Sequence, residues 1–263
     1  MKSLTQIVSA DGTPIAYETL GQGDPVVLIG GAFNDRQTVA GVAHVLSSQH
    51  TAVLYDRRGR GDSGDGRPPS LDRELEDLAA LIETVGAPAA LFGHSSGAAL
   101  ALEAAAAGLP VSKIAVYEPS YVVGRSRPRP GTGLAERIQA LVAVGRRDAA
   151  AALFLSEAIG MPDEVVEGMQ ASPMWAMFAG LAHTLPYDLA ACRGMKLPTR
   201  RLSRIAVPVL AVHGANTMPW LAASTEAVAS AVPGARHVVL EGQDHGVLHN
   251  PDALGPVLHE FLG

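Results

Sequence analysis

The sequence predicts an α/β fold in which a mostly parallel central sheet is flanked by helices and carries a helical cap insert. Apolar strand segments alternate with helical segments over residues 1–120 and again over 202–263, and such alternation favours a parallel sheet. Over residues 121–201 the strand signals disappear and prolines punctuate helical segments, which indicates an insert between two parts of one core. With 263 residues, 48% of them hydrophobic, the chain can bury a sizeable core.

The first elements follow from short-range patterns. "TQIVSADGTPIAYETLG" alternates around Asp11-Gly12 and predicts two short strands joined by a turn. "DPVVLIGG" and "TAVLYD" are continuous apolar runs, typical of strands buried on both faces, with a helix expected between them at about residues 39–47. "SLDRELEDLAALIETVG" predicts an amphipathic helix with Ser70 as its N-cap and Gly86 as its stop.

The remaining elements complete the alternation. Residues 89–92 predict a strand, a helix is expected after Ser95, and "SKIAVYE" predicts the next strand. The insert contains "LAERIQALVAVG", "RDAAAALFLSEAIG", "DEVVEGMQ" and "PMWAMFAGLAHTL", each with a helical pattern. After it, "IAVPVLAVHG" and "ARHVVLEG" predict buried strands, and "PDALGPVLHEFLG" predicts a closing helix.

Charge and cysteine content exclude several function classes. A net charge of -6 argues against nucleic acid as a partner, because phosphate binding needs clustered Lys and Arg. The one basic cluster, Arg57, Arg58 and Arg60, is flanked by acidic residues and is expected to be a solvated loop. Cys192 is the only cysteine, so no intrachain disulfide can form and a reducing compartment is expected.

No targeting or metal-binding signal is found in the sequence. The N-terminal segment lacks the apolar region of a signal peptide, and no apolar run reaches the length of a membrane span. A cytoplasmic protein without a membrane partner is therefore expected. No His, Cys or Asp cluster has metal-ligand spacing, so neither a metal nor another cofactor is predicted. The oligomeric state stays open, a homodimer included.

Two glycine-rich loops differ in what they predict. Residues 59–64 match G-x-G-x-x-G, but "DGRPPS" follows, and two prolines argue against the helix that a dinucleotide site requires. A tight loop with Asp56 capping its amides is the better interpretation. "GGAF" at residues 30–33 ends a buried strand, where its backbone N–H groups can approach an anion. A turn without function is the alternative there.

"GHSSG" at residues 93–97 fits the G-x-S-x-G pattern, with an apolar strand before it and a helix after it. In this turn the middle residue, Ser95, exposes its hydroxyl, while Ser96 offers its backbone N–H. His94, inside the turn, is expected to line a pocket or to pack.

With "VVLIGGAF", "YDRRGRGDSG", "GHSSG" and "EGQDHGVLHNPDAL", the chain resembles the α/β-hydrolase superfamily over nearly its full length. The resemblance implies acyl transfer to water, with Ser95 as nucleophile, His245 as base and the N–H groups of Ser96 and Ala32 as oxyanion hole. Where the family often has His-Gly before the oxyanion loop, this chain has Gly30-Gly31. His249 and His259 are rivals of His245 and are expected to be structural or solvent-facing.

The acid of the triad is the least regular part of the pattern. In many relatives it follows the strand that here is "VPVLAVHG", but this turn contains Asn216 and no carboxylate. Asp244 is expected to be a solvated loop residue, and Asp188 a surface or cap residue of the insert. Glu118 ends "SKIAVYE" and should emerge at the same sheet edge as Ser95.

Certain dehalogenases and the fungal zearalenone lactonase, which the chain distantly resembles, place their acid after this same strand. We therefore predict the triad Ser95–His245–Glu118. An exposed Glu118 that merely begins a loop is the alternative.

The methionines and aromatic residues of the insert are either core or the wall of an apolar pocket. The predicted substrate-contacting residues are Phe33, His94, Trp175, Met177, Phe178 and Trp220. The favoured function is hydrolysis of a carboxylic ester or lactone of an apolar small molecule through an acyl-enzyme. The alternatives are a C–C bond hydrolase, a perhydrolase and a non-catalytic small-molecule receptor. Ser95 excludes the aspartate-nucleophile chemistry of epoxide hydrolases.

Overall fold

An eight-stranded sheet with the order β1-β2-β4-β3-β5-β6-β7-β8 forms the centre of the molecule, as seen in a computed structural model that describes residues 4–66 and 68–263. Residues 1–3, which begin the predicted first core segment, and Arg67 of "DGRPPS" lie outside the described residues. β2 pairs antiparallel with both β1 and β4, and the remaining neighbouring strands pair parallel, which confirms the mostly parallel sheet. The strands are β1 Thr5–Val8, β2 Pro14–Leu20, β3 Pro25–Ile29, β4 Thr51–Tyr55, β5 Ala89–His94, β6 Val111–Tyr117, β7 Val209–Gly214 and β8 Arg236–Leu240.

Helices cover both faces of this sheet and form the insert. They are α1 Ala40–Leu46, α2 Leu71–Val85, α3 Ser96–Ala106, α4 Leu134–Ala143, α5 Arg147–Leu153, α6 Asp163–Gln170, α7 Trp175–Leu181, α8 Leu185–Ala191, α9 Thr199–Leu202, α10 Pro219–Ala231 and α11 Gly255–Leu262. A π-helical segment, Phe154–Ile159, continues α5. None of the described helices combines the length and the apolar character needed to cross a membrane.

The continuous apolar strands are buried on both faces because successive side chains point to opposite sides of the sheet. In β3, Val27 and Ile29 join the core that contains α2, α3 and much of the insert. Val26 and Leu28 join the second core, beneath α1 and α11. The sequence pattern of this strand thus has a direct structural reason.

The predicted caps and turns form as the sequence indicates. The Ser70 hydroxyl accepts the Asp72 N–H at 3.2 Å at the start of α2, and Gly86 takes a positive φ of 104° at its end. Gly12, with φ 86°, makes the turn between β1 and β2. These residues set where the elements begin and end.

The helical insert lies between β6 and β7 and carries α4 to α9. Among the described residues 118–208 there is no strand, only an isolated bridge between Val122 and Lys196. α8 of the insert packs against α3 of the core. Because the insert leaves from the carboxyl end of β6, it begins at the sheet edge at which the parallel strands end.

The loop after β4 corrects the expectation of a solvated basic cluster. Arg57, Arg58 and Arg60 are all buried, because carboxylates pair with each guanidinium. Arg57 binds Glu74 at 2.6 and 2.8 Å, and Arg58 binds Asp77 at 2.7 and 2.6 Å, both acids lying on α2. A buried charge is tolerable only when it is paired in this way.

The glycine loop that follows is a tight turn, as expected. The Asp56 carboxylate caps it by accepting the N–H of Asp62 at 2.9 Å, and it also accepts the N–H of Arg36 from the neighbouring loop after β3, at 2.8 Å. The next helix begins only at Leu71, so no helix opens on Gly64 as a dinucleotide site would require.

Candidate active site

The turn between β5 and α3 holds Ser95 in a backbone conformation that non-glycine residues rarely adopt, with φ 57° and ψ −120°. Small neighbours make it possible. A Cβ at Gly97 would clash with the carbonyl of Ile29, and one at Gly93 would clash with the first turn of α3. The Ser95 N–H donates to the carbonyl of Tyr117 at 2.9 Å, which ties the turn to the end of β6.

The Ser95 hydroxyl forms its hydrogen bond with the Ser120 hydroxyl, at 3.0 Å between the two Oγ atoms. Within the described part of the chain, His245 is not a hydrogen-bond partner of Ser95 in this arrangement, although both side chains line one cavity. The Ser120 contact was not predicted, and its only sequence signal is its position two residues after Glu118.

His245 and Glu118 meet as the sequence predicted. Glu118 Oε2 lies 2.6 Å from His245 Nδ1 and also accepts the Thr217 hydroxyl at 2.8 Å, while Oε1 accepts the Gly214 N–H at 2.9 Å. The Glu118 side chain is 0% exposed and that of His245 is 34% exposed. The carboxylate is therefore fully hydrogen-bonded in the interior, and the imidazole remains reachable from the cavity.

The other two candidate carboxylates lie elsewhere. Asp244 is exposed, as expected, and accepts the Gly246 N–H at 2.8 Å within its own turn. Asp188 was expected on the surface, but it is buried and accepts the Ser96 hydroxyl at 2.6 Å. It is buried because Arg57 and Arg60 neutralise its charge. Both arginines lie about 130 residues away in the sequence, so no local pattern indicates this pairing.

The histidine loop is fixed by two bonds to its own backbone. The Tyr117 hydroxyl donates to the carbonyl of Asp244 at 2.7 Å, and His94 Nε2 lies 3.0 Å from the carbonyl of His245. A carbonyl can only accept, so His94 donates from Nε2. Burial, with a smaller contribution from His245, lowers the pKa of His94 to about 3, so its ring is neutral at physiological pH.

The backbone N–H groups of Ala32 and Ser96 lie near Ser95, and neither donates to a hydrogen-bond partner among the described residues. The Ser96 N–H starts α3, where the helix dipole favours a negative charge. The loop with Ala32 passes so close that a Cβ on Gly31 would lie 2.8 Å from Ser95 Cβ. These are the groups predicted to form the oxyanion hole.

A cavity of about 590 Å³ opens onto Ser95 and His245. Of the predicted substrate-contacting residues, five line it: Phe33, His94, Met177, Phe178 and Trp220. Other methionine and aromatic residues of the insert, which the sequence left as either core or pocket wall, also line it: Phe154, Met161, Met169 and Met174. Apolar residues that the sequence did not single out line it as well: Leu155, Ile159, Met218, Leu221 and Leu248. None of the described residues that line it is Asp, Glu, Lys or Arg.

Trp175 is not among the cavity-lining residues, contrary to the prediction. It is buried within the insert, where its indole N–H donates to Asp148 at 2.8 Å. Its ring stacks on Phe178 at 6.0 Å between centroids. Trp175 therefore supports a cavity wall from behind, because its indole N–H finds its polar partner, Asp148, inside the insert.

Known proteins resemble this chain in sequence and in fold. The sequence profile of the alpha/beta hydrolase family matches residues 26–256. The crystal structure of an alpha/beta hydrolase from Sphaerobacter thermophilus is 46% identical, with a TM-score of 0.92 over 98% of this chain and 100% of that one. A candidate non-heme bromoperoxidase of Mycobacterium tuberculosis, BpoC, is 28% identical, covering 94% of this chain and 97% of its own. The enol-lactonase of Burkholderia xenovorans, 22% identical with a TM-score of 0.74 over 98% of this chain and 99% of its own, shares the fold.

We expect Ser95, and not Ser96, to be the nucleophile. A fluorophosphonate probe should add its mass to the peptide that contains both serines, and Ser95→Ala should abolish that label while Ser96→Ala keeps it. Loss of the nucleophile should lower kcat by roughly 10⁶. Mass spectrometry of the labelled peptide checks this, and the opposite pattern would show that the turn presents Ser96 instead.

Glu118→Gln should lower kcat strongly, by about 10⁴, because an amide cannot stabilise the imidazolium that forms on His245. Asp244→Asn is the matched control, since it makes the same change one residue from His245. We expect it to keep activity near that of the wild type. Initial rates on a chromogenic ester, with folding checked by circular dichroism, measure both. Near-wild-type activity of Glu118→Gln would contradict the assignment.

Acid should destabilise the fold through His94. Between the pKa of about 3 in the folded protein and 6.5 in the unfolded chain, only the unfolded chain binds the proton. The contribution of His94 to the free energy of unfolding is thus complete above about pH 6.5, and it falls by about 1.4 kcal/mol for each pH unit below that value.

The free energies of unfolding at pH 7 and pH 5 test this. His94→Asn should reduce the loss between these two values by about 2 kcal/mol, because the other histidines are present in both proteins and cancel. An equal loss in both proteins would show that His94 titrates normally.

Proposed function

The chain belongs to the alpha/beta hydrolase family, and on that premise we propose that it hydrolyses a neutral carboxylic ester or lactone of an apolar small molecule. The observation that carries the proposal is one uncharged, mostly apolar cavity into which both Ser95 and His245 open. The reaction passes through an acyl-enzyme on Ser95.

In the first half of the reaction, Ser95 Oγ attacks the substrate carbonyl and His245 takes its proton. The N–H groups of Ala32 and Ser96 donate to the oxygen on which negative charge develops. Glu118 stabilises the imidazolium and holds it in orientation through Nδ1. His245 then returns the proton to the leaving alkoxide, which departs as an alcohol or, in a lactone, remains attached through the acyl chain.

In the second half, a water molecule attacks the acyl-enzyme while His245 again accepts a proton. The tetrahedral intermediate collapses, the carboxylic acid product forms, and Ser95 recovers its proton. For this cycle the Ser95 hydroxyl must exchange its partner Ser120 for His245. Such a change between the free and the substrate-bound enzyme is common at catalytic hydrogen bonds.

The cavity lining supports the substrate class. Methionine, phenylalanine and leucine side chains favour apolar groups, and methionine adapts to their shape. A carboxylate bound there would lose its hydration without gaining a cationic partner, which costs several kcal/mol. A neutral acyl or alcohol portion incurs no such penalty.

A matched pair of esters tests the substrate class. The kcat/KM for p-nitrophenyl hexanoate should exceed that for the p-nitrophenyl monoester of adipic acid by about 100-fold, since about 2.7 kcal/mol of unpaired charge burial corresponds to that factor. The methyl ester of the second substrate, which is neutral and only one methyl group longer, should restore the rate. Equal rates for the charged and neutral esters would contradict the substrate class, and no turnover of any ester would favour a receptor.

The insert should determine chain-length preference through Met177. Met177→Ala widens the cavity and should shift the optimum of a C2–C10 p-nitrophenyl ester series to longer acyl chains, by several-fold in relative kcat/KM. Val165→Ala is the control, because Val165 is 48% exposed, close to the 46% of Met177, but does not line the cavity. A uniform loss over all esters in Met177→Ala would contradict a role in selectivity.

Perhydrolysis is the second candidate, favoured by the 28% identical bromoperoxidase relative. Hydrogen peroxide would replace water in the attack on the acyl-enzyme and release a peracid. Bromide oxidation with acetate and peroxide, measured against Ser95→Ala, distinguishes this activity from hydrolysis. Bromination that persists in Ser95→Ala would exclude the acyl-enzyme route.

A further inference from the structure

Four charged side chains form a cluster beneath the candidate oxyanion loop: Arg57, Arg60, Glu74 and Asp188. All four are buried. Asp188 accepts Arg57 at 2.7 Å and accepts Arg60 with both oxygens at 2.8 Å, while Glu74 binds the other side of Arg57. The two positive and two negative charges balance, as charges in the interior must. None of the four lines the cavity of about 590 Å³.

The cluster holds the loop that carries the first oxyanion donor. Arg60 Nη1 donates to the carbonyl of Gly31 and, at 3.1 Å, to that of Asn34, and Arg57 Nη1 donates to the carbonyl of Gly30 at 3.2 Å. Two guanidinium groups thus bind three carbonyls of one short loop. This loop has no regular secondary structure, so these bonds fix its backbone.

The bond to Gly31 has a particular consequence. The Gly31 carbonyl and the Ala32 N–H belong to one planar peptide group, so fixing the oxygen fixes the direction of the N–H. A cation on the carbonyl also polarises the peptide and makes its N–H a stronger donor. Arg60 therefore acts on the Ala32 donor from the far side of the same peptide bond.

The second donor is tied to the same carboxylate. The Ser96 hydroxyl donates to Asp188 at 2.6 Å, so the residue with the second N–H is anchored to the partner of Arg60. Burial opposes ionisation of Asp188, but the charges of Arg60 and Arg57 hold its pKa below the ordinary value. Asp188 lies on α8, so the insert supplies the group that joins both sides of the oxyanion hole.

Resting on the hydrolase function proposed above, we propose that Arg60 is a positioning residue of the oxyanion hole and that Asp188 holds it there. The guanidinium orients the Gly31–Ala32 peptide towards the developing oxyanion, and Asp188 keeps Arg60 and Ser96 in register. Neither residue touches the substrate. The insert thereby contributes to the chemical step as well as to the cavity wall.

Arg60→Met tests the proposal because it removes the donor and keeps the apolar length of the side chain. We expect kcat to fall about 10- to 100-fold with little change in KM, somewhat less than the loss of an oxyanion donor outright. Arg58→Met is the matched control. Arg58 is equally buried in the same loop, but it binds Asp77, Asp11 and the carbonyl of Arg73 rather than the oxyanion loop. It should lose stability and keep kcat.

A ketone pair separates positioning from general damage. In a trifluoromethyl ketone, Ser95 Oγ bonds to the carbonyl carbon, its proton passes to His245, and the carbonyl oxygen becomes an oxyanion in the hole. Its inhibition constant should rise about 10- to 100-fold in Arg60→Met. The matching methyl ketone, which stays a free carbonyl, should bind as in the wild type.

A charge-balanced variant controls for misfolding. Arg60→Met leaves the cluster with one positive charge and two negative charges. Arg60→Met/Asp188→Asn leaves only Arg57 and Glu74, whose charges cancel. The double variant should regain stability without regaining kcat or affinity for the trifluoromethyl ketone. If the double variant also regained kcat and affinity for the trifluoromethyl ketone, the cluster would only stabilise the fold, and the proposal would be overturned.

The two levels of failure are distinguishable. If the wild type neither turns over esters nor reacts with a fluorophosphonate, the hydrolase function fails and takes this inference with it. If the wild type reacts and Arg60→Met keeps its kcat within about threefold, the positioning role alone is overturned.

Discussion

The strained backbone of Ser95 is the constraint on which the rest of the site depends. A positive φ at a serine costs about 1–3 kcal/mol and persists only when the surroundings over-determine it. Here β5 ends directly before Ser95 and α3 begins directly after it, so both elements restrain its backbone. The Ser95 N–H also donates to the Tyr117 carbonyl, which ties the turn to the end of β6. Glycines on either side let the helix pack close enough to close the turn.

Ser95 is not alone in this strain. Phe33 has φ 58° and Glu118 has φ 48°, and both lie just beyond strands that neighbour β5 in the sheet. Three non-glycine residues with positive φ thus lie at the ends of adjacent parallel strands. The sheet supplies the rigid neighbours that such conformations need, and the candidate catalytic groups converge where its strands end.

The candidate acid of the triad follows β6 here, whereas in many relatives it follows the strand that corresponds to β7. The turn after β7, where Asn216 stands, provides donors to Glu118 through the Gly214 N–H and the Thr217 hydroxyl. A carboxylate that accepts two such bonds besides that of His245 is held in one orientation. The charged side chains around the site lie in two places: Glu118 behind His245, and the cluster of Arg57, Arg60, Glu74 and Asp188 beneath the candidate oxyanion loop. None of the described residues that line the cavity is Asp, Glu, Lys or Arg.

The sequence by itself determined the alternation of strands and helices and the turn at Ser95. It also determined that His245 and, through its place after "SKIAVY", Glu118 are the candidate partners of Ser95. These depend on local patterns: apolar runs, glycines that a tight turn requires, and residues at strand ends that a parallel sheet brings to one edge. Only the tertiary structure decided that Arg57, Arg60 and Asp188 are buried, that Trp175 lies behind the cavity wall, and that Ser120 faces Ser95. Whether a charge or an indole is buried depends on partners far away in the chain, and no local pattern records where an insert of this length folds back onto the core.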